Sequence, residues 1–261
     1  MSGETLRFDT GVATDVGCRR DANEDSCLVN DLAGVWVVAD GMGGHEGGAF
    51  ASATVVETLR QVASASSAHD LLAQCRAGID AANARIREAS GEGVIIGTTV
   101  VALLAHRSDF ACVWSGDSRL YLVRDGTIQQ WTRDHTEVQD LLSSGAITAE
   151  QARTWPRRNV VTRALGVVDK AEMEVRYGTL RPNDLFVLCS DGLYNHVEDD
   201  EILAFMAERS PQQAADFLVR TTVERGASDN VTVLVVRCTI AREPTIVLPM
   251  RAEAGGDAAT R

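Results

Sequence analysis

The stretch GVWVVADGMGGHEGGAFASATVVETLRQV, residues 34–62, decides the architecture. Its first six residues are a short apolar run and read as a strand. Asp40 to Gly48 is a glycine-rich loop, and after it Phe50, Ala53, Val56, Leu59 and Val62 recur at helical spacing. The Ser/Ala-rich residues 63–69 lead to a second helix over 68–89, with Leu72, Cys75, Ile79, Ala82 and Ile86 on one face. Upstream, strands are predicted at 6–16 and 25–30. Downstream they are predicted at 98–105, 110–114 and 119–124, with Asp125-Gly126 as a two-residue hairpin signal. Residues 136–168, with Gly145, Pro156, Arg157, Arg158 and Arg163, read as short helical pieces leaving the sheet. Strands at 172–179 and 184–189, helices at 199–208 and 211–225, and a strand at 230–239 complete the order. Strict strand–helix alternation is missing, so the expectation is α+β, with antiparallel sheets and helices packed outside them. Residues 241–261 read as a flexible C-terminal tail.

Of the 261 residues, 45% are hydrophobic and 24% charged, enough for a sizeable core and wrong for a disordered chain. The 37 acidic residues outnumber the 25 basic ones, for a net charge of −12. That balance argues against binding to nucleic acid or anionic membrane, which Lys and Arg mediate, and suits metal binding. Cysteines 18, 27, 75, 112, 189 and 238 form no C-x-x-C pair, so zinc is not expected. They read as reduced, mostly buried thiols of a cytoplasmic protein. No apolar run is long enough for a membrane span, and MSGETLRFDTG has no export signal.

Acidic residues beside glycine or asparagine recur at the ends of strand-like runs: Glu24-Asp25, Asp40-Gly41, Asp117, Asp191-Gly192 and Asp229-Asn230. Each alone reads as turn chemistry. Five such sites in one sheet protein are different, because their side chains can converge on one rim. Converging carboxylates without His or Cys need a hard cation, Mg²⁺, Mn²⁺ or Ca²⁺. Two such ions can lower the pKa of a shared water and make hydroxide near neutral pH.

Other motifs fail. Asp21 to Asp25 starts like an EF-hand loop, but Ser26 stands at the glycine position and Leu32 at the last ligand. Gly41 to Glu46 is not a dinucleotide fingerprint, since Glu46 ends it, and no phosphate-binding Lys-Ser/Thr follows. Leu188 replaces the first glycine of a nucleophile elbow in Cys189-Ser190-Asp191-Gly192.

Taken together, GCRRDANED (17–25), VVADGMGGHEGG (37–48), GTTVV (97–101), WSGDSRLYLVRDG (114–126), VQDLLSSGAIT (138–148), RRNVVTRALG (157–166), LCSDGLYNHV (188–197) and SDNVTVLVV (228–236) occur in one order. In these stretches the chain resembles the protein phosphatase 2C family, the metal-dependent Ser/Thr phosphatases, in its bacterial form. The resemblance implies a β-sandwich of two antiparallel sheets flanked by helix pairs, a catalytic domain over 1–240 and a flap at about 140–166. It implies hydrolysis of phosphoserine and phosphothreonine in proteins by a metal-bridging hydroxide, with Mn²⁺ or Mg²⁺ as cofactor. By position, Asp40 would bridge two metals. Asp191 and Asp229 would hold the first, Glu24 and the Gly41 carbonyl the second. Asp25 would orient water, Arg20 would bind the substrate phosphate, and Asp117 would serve a weaker third metal. The ordinary reading of Arg20 is a surface salt bridge with Asp21 or Asp25.

Three positions depart from the family pattern. Met42 stands where animal members carry a His proposed as general acid, and His45 is a nearby but weak substitute. Leu120 replaces a glycine of the GDSR turn. Asn195 replaces a second acid after Asp191 that bears on the third metal. Trp36, Trp114, Trp131 and Trp155 read as core or flap packing, and Cys18 as a thiol near Arg19 and Arg20. Two alternatives remain open: a catalytically silent regulatory or binding module of this fold, and a hydrolase of small phosphate esters. The implied partners are phosphorylated proteins and an opposing Ser/Thr kinase system, with Thr245 in the tail a conceivable phosphorylation site.

Overall fold

The computed structural model describes residues 6–43, 46–91, 95–207 and 209–240. The chain runs β1 (Leu6–Asp15), β2 (Asp25–Asn30), β3 (Val35–Met42), α1 (Gly47–Leu59), α2 (Ala68–Ala89), β4 (Gly97–Thr98), β5 (Val100–His106), β6 (Asp109–Ser115), β7 (Arg119–Arg124) and β8 (Thr127–Gln130). It continues with α3 (Glu137–Ser143), α4 (Ala149–Arg153), β9 (Glu174–Thr179), β10 (Leu185–Cys189), α5 (Asp191–Tyr194), α6 (Asp199–Met206), α7 (Pro211–Glu224) and β11 (Val231–Ile240). One sheet has the order β1-β11-β10-β7-β8, and the other β2-β3-β5-β6-β9 with β4 paired to β3. Every pairing is antiparallel.

Strand alternation builds three apolar layers. Trp36 and Val38 of β3, with Val101 and Leu103 of β5, face the other sheet, where they share a buried layer with Leu188 and Leu234. Val35, Val37 and Ala39 point the opposite way, against Val55 and Leu59 of α1 and Cys75 and Ile79 of α2. On the far side, Val187, Val233 and Val235 meet Ile202 of α6 and Leu218 of α7. The result is helix, sheet, sheet, helix. The inner strands β3, β5, β6, β7, β10 and β11 are buried on both faces, which explains why β3, β5 and β11 are continuous apolar runs and not alternating ones.

Local signals place the helix ends. Ser67 caps α2 through the Asp70 backbone N–H. Ser210 and Gln213 form a capping box with Pro211 at the first helical position of α7. The apolar face of α2 is the one the spacing predicts. Of the positions predicted for the first helix, Val56, Leu59 and Val62 are buried as expected, but Phe50 is 41% exposed and Ala51 and Val55 are buried in its stead. A three-residue spacing drifts around a helix of 3.6 residues per turn, whereas the face that packs follows steps of four. Leu120 is fully buried between the sheets, opposite Leu188, so in this chain the position serves the core and leaves the preceding turn intact. Residues 136–168 hold the short helices α3 and α4, as the sequence predicts. His45 and the 241–261 tail, with Thr245, lie outside the described residues.

Candidate active site

Antiparallel topology gathers residues from five places in the chain. Asp40 and Gly41 close β3, Glu24 and Asp25 lead into β2, Asp117 sits between β6 and β7, Asp191 opens α5, and Asp229 precedes β11. Register sets Asp25 directly opposite Asp40. Glu24, Asp40, Gly41, Asp117, Asp191 and Asp229 line one cavity of about 220 Å³. Arg20, Met42, Gly43, Thr99, Asn159 and Val161 complete its wall.

Neutral side chains hold this backbone in place. The Asn230 carbonyl accepts from the Glu24 N–H at 2.8 Å, and its amide donates to the carbonyls of Val16 and Ala22, both at 2.9 Å. Thr99 Oγ1 accepts from the Asp40 N–H at 3.1 Å, while Thr98 Oγ1 donates to the Asp40 carbonyl at 2.9 Å. Ser52 Oγ donates to the Glu24 carbonyl at 2.6 Å. Ser190 Oγ donates to Asp25 Oδ2 at 2.7 Å and accepts from the Thr232 N–H at 3.0 Å. Gly41 is packed so tightly that a Cβ would stand 2.1 Å from the Gly48 carbonyl oxygen and 2.7 Å from that of Glu24. Sequence reasoning finds the acids and misses these supports. Asn230 and Ser190 adjoin Asp229 and Asp191, whereas Ser52, Thr98 and Thr99 lie far along the chain from the acids they support and leave no local signal.

The electrostatics call for a cation. Burial first, then Asp25, Asp191, Asp117 and Asp229, pushes Asp40 well above the usual carboxylate range. Burial and then Asp117 and Asp229 push Asp191 up to about 8. Asp25 and Asp117 are each pushed to about 6, chiefly by burial. Glu24 Oε1, Asp25 Oδ1 and Asp191 Oδ1 are buried without a hydrogen-bond partner, an arrangement that costs free energy unless something else satisfies them. Among the described residues no three such side chains close around a single point at ligating distance. They line instead a cavity of a size to admit ions and water. The donor set is all oxygen, which fits Mg²⁺ or Mn²⁺ and not zinc.

Arg20 is the cation at the cavity wall. It pairs with Asp229 at 2.7 Å, not with Asp21 or Asp25, because the loop after β1 lies against the residues leading into β11. That hydrogen bond with Asp229 raises its already high pKa. Asn195 turns its amide toward Asp191 Oδ2, 3.1 Å away, and so donates where an acid would accept. Cys18 is exposed, and its thiol faces the Val223 carbonyl at 3.5 Å. Trp36 and Trp114 are buried in the core, and Trp131 packs at its edge.

The protein phosphatase 2C family model matches residues 18–225. The Ser/Thr protein phosphatase PstP of Mycobacterium tuberculosis is 37% identical over 240 residues, covering 90% of this chain and 46% of PstP, so the chain spans about half of that relative's length. The Ser/Thr phosphatase stp of Listeria welshimeri is 36% identical, covering 85% of this chain and 93% of its own. PppA of Pseudomonas aeruginosa superposes with a TM-score of 0.84 at 39% identity, over 90% of this chain and all of that one. A PstP catalytic domain solved with two manganese ions superposes with a TM-score of 0.82 at 34% identity, over 90% of this chain and all of that one. By its match, its two-sheet sandwich and its acid-lined cavity, the chain belongs to the protein phosphatase 2C family.

Proposed function

We propose that this protein is a metal-dependent phosphatase that hydrolyses phosphoserine and phosphothreonine in proteins. The observation that carries the reading is the set of oxygen donors around one cavity, those of Glu24 and Asp191 each with a buried and unpartnered oxygen, with a guanidinium at its wall. Family membership and the manganese reported with a PstP catalytic domain support the same conclusion. A silent module of this fold would be expected to lack part of that set.

Asp40, Asp191 and Asp229 would hold one Mn²⁺ or Mg²⁺ ion, and Asp40, Glu24 and the Gly41 carbonyl a second, with Asp117 serving a weaker third. When bound, such ions supply Lewis acidity toward phosphoryl oxygens and acidify water. The chain's own residues do the rest. Arg20 leaves Asp229 and meets two phosphoryl oxygens with its planar fork, neutralising charge as the bond to the leaving oxygen breaks. Asp25, fixed by Ser190, presents its free Oδ1 as the acceptor that orients the attacking water. Met42 lines the cavity where animal members place a His, so the departing alkoxide takes its proton from solvent. Cysteine, serine and histidine take no nucleophilic role.

The catalytic domain is taken as 1–240 with the flap at 140–166. The expected counterpart is a Ser/Thr kinase whose products it reverses. Six unpaired cysteines support a reducing, cytoplasmic setting, and no helix among the described residues is long and apolar enough to cross a membrane. The test is release of inorganic phosphate from phosphothreonine peptides, nucleotides and sugar phosphates, with Mn²⁺ and with EDTA. Metal-dependent hydrolysis confined to the small esters would select the alternative activity.

A further inference from the structure

We infer that the groove between the flap and the body is a subsite for a second anionic group on the substrate, received by Arg153 and Arg158. The inference rests on the phosphoprotein phosphatase reading above. A cavity of about 540 Å³ adjoins the acid-lined one, and the two share Asp117 and Asn159 in their walls. A peptide whose phosphorylated side chain enters the smaller cavity therefore has its neighbouring residues over the larger one.

Charge accounting identifies what the groove would bind. Residues 151–163 carry Arg153, Arg157, Arg158 and Arg163 and no acid, in a chain of net charge −12. Arg157 pairs with Glu137 at 3.0 Å, and Arg163 with Glu174 at 3.0 Å. Among the described residues Arg153 and Arg158 form no ion pair, and both line the groove. Arg158 donates to the Arg153 carbonyl at 3.2 Å, which ties the two to one turn. Neither of the groove's other acids, Asp134 and Glu198, pairs with Arg153 or Arg158. Asp134 takes a two-pronged contact from Arg119, at 3.0 and 2.7 Å, plus the Gln130 amide at 2.8 Å. Glu198 caps α6 by accepting from the Glu201 backbone. Two guanidiniums thus line the groove without an ion pair among the described residues, beside the carboxylates of Asp117 and Glu198. A guanidinium's planar fork suits a carboxylate or a second phosphate, so the substrate class is a phosphopeptide acidic beside its phosphorylated residue.

The experiment compares peptides identical around one phosphothreonine, with Glu, a second phosphorylated residue, Gln or Lys at the flanking positions. Wild type is expected to turn over the Glu or doubly phosphorylated peptides with kcat/KM about tenfold above the Gln peptide, mainly through KM, since two partly exposed charge pairs supply an effect of that order. The Lys peptide should fall below the Gln one. Arg153→Gln/Arg158→Gln should bring the anion-to-Gln ratio within about twofold, and Arg153→Lys/Arg158→Lys should keep part of it. A ratio, unlike a rate, is unmoved by a general loss of stability. Preference for the doubly phosphorylated peptide alone identifies phosphate as the anion; an equal gain with Glu identifies charge in general. Equal kcat/KM for all peptides in wild type, or an undiminished ratio in the double Gln variant, overturns the subsite. Failure of wild type on every peptide while it still hydrolyses p-nitrophenyl phosphate would instead remove the phosphoprotein reading, and the subsite with it.

Discussion

At the scale of single residues, Arg20 and His135 illustrate how contacts separate roles. Arg20 neutralises Asp229 and stands over the cavity, so Arg20→Ala removes a charge-assisted contact to phosphate and at the same time frees a carboxylate. Kcat/KM should fall by about 1.5–3 kcal/mol, roughly ten- to a hundredfold. Mn²⁺ binding measured by calorimetry should persist or tighten; a collapse of metal affinity would make Arg20 structural. Asp117→Ala should lower turnover at millimolar Mn²⁺ while two ions still bind, and superimposable metal titrations for variant and wild type would remove Asp117 from the reaction. His135 is buried behind this site, accepting from the Gly116 N–H at Nδ1 and facing Glu174 through Nε2 at 3.2 Å. Burial and then Arg163 lower its pKa, against the opposing pull of Glu174 and Asp134. The folded state favours the neutral ring. His135 therefore contributes stability that is present above the ordinary pKa of 6.5 and is lost as pH falls through that value toward the folded pKa. The Tm advantage of wild type over His135→Asn should shrink from pH 7.5 to 5.5 in thermal melts, and a constant gap would show that the ring is not titrating.

At the scale of elements, the strand ends place the chemistry and the strand interiors supply the stability. Leu188 and Leu120 face each other across β10 and β7, both fully buried between the sheets. Leu188→Ala should cost about 2–5 kcal/mol by urea unfolding. Because the layer is continuous from sheet to sheet, the loss should lower overall stability and leave KM for any substrate unchanged. Gly41 is the opposite case. Its Cα faces the Gly48 carbonyl where β3 meets the start of α1, with no space for a methyl group. Gly41→Ala must push the strand end away from the helix, at a cost of about 1–3 kcal/mol. It should also displace the Gly41 carbonyl and Asp40, so metal-supported turnover should fall by more than the stability loss accounts for. Near wild-type activity in that variant would mean that the strand end is more compliant than its packing indicates.

At the scale of the whole molecule, the sequence makes the layers and the acidic set legible and hides what locks them together. Apolar runs such as GVWVVA and VTVLVV announce strands buried on both faces, and two helices in succession announce an outer layer. Periodicity finds the packing face of α2, whose five apolar positions follow the helix repeat, and in α1 finds Val56 and Leu59 but misplaces Phe50, which lies in solvent. Partners more than two hundred residues apart, such as Arg20 with Asp229 and Glu24 with Asn230, leave no local pattern to read. Convergence of the acids has a global consequence. Burial and neighbouring carboxylates raise the proton affinity of Asp25, Asp40, Asp117 and Asp191, so the folded chain concentrates like charge that the unfolded chain disperses. Stripping divalent ions with EDTA at pH 7.5 should lower Tm, and Mn²⁺ should restore it in a saturable way. At a hundredfold excess over Kd the gain is about 2.7 kcal/mol per ion, or roughly 5–10 °C for a domain of this size. Asp40→Asn separates this charge effect from general damage. It removes the most central carboxylate, so in EDTA it should melt above wild type, while in Mn²⁺ it should melt below it and be inactive. Identical melting of the two proteins in EDTA, or a Tm indifferent to Mn²⁺, would contradict the view that carboxylate repulsion prepares this cavity for cations.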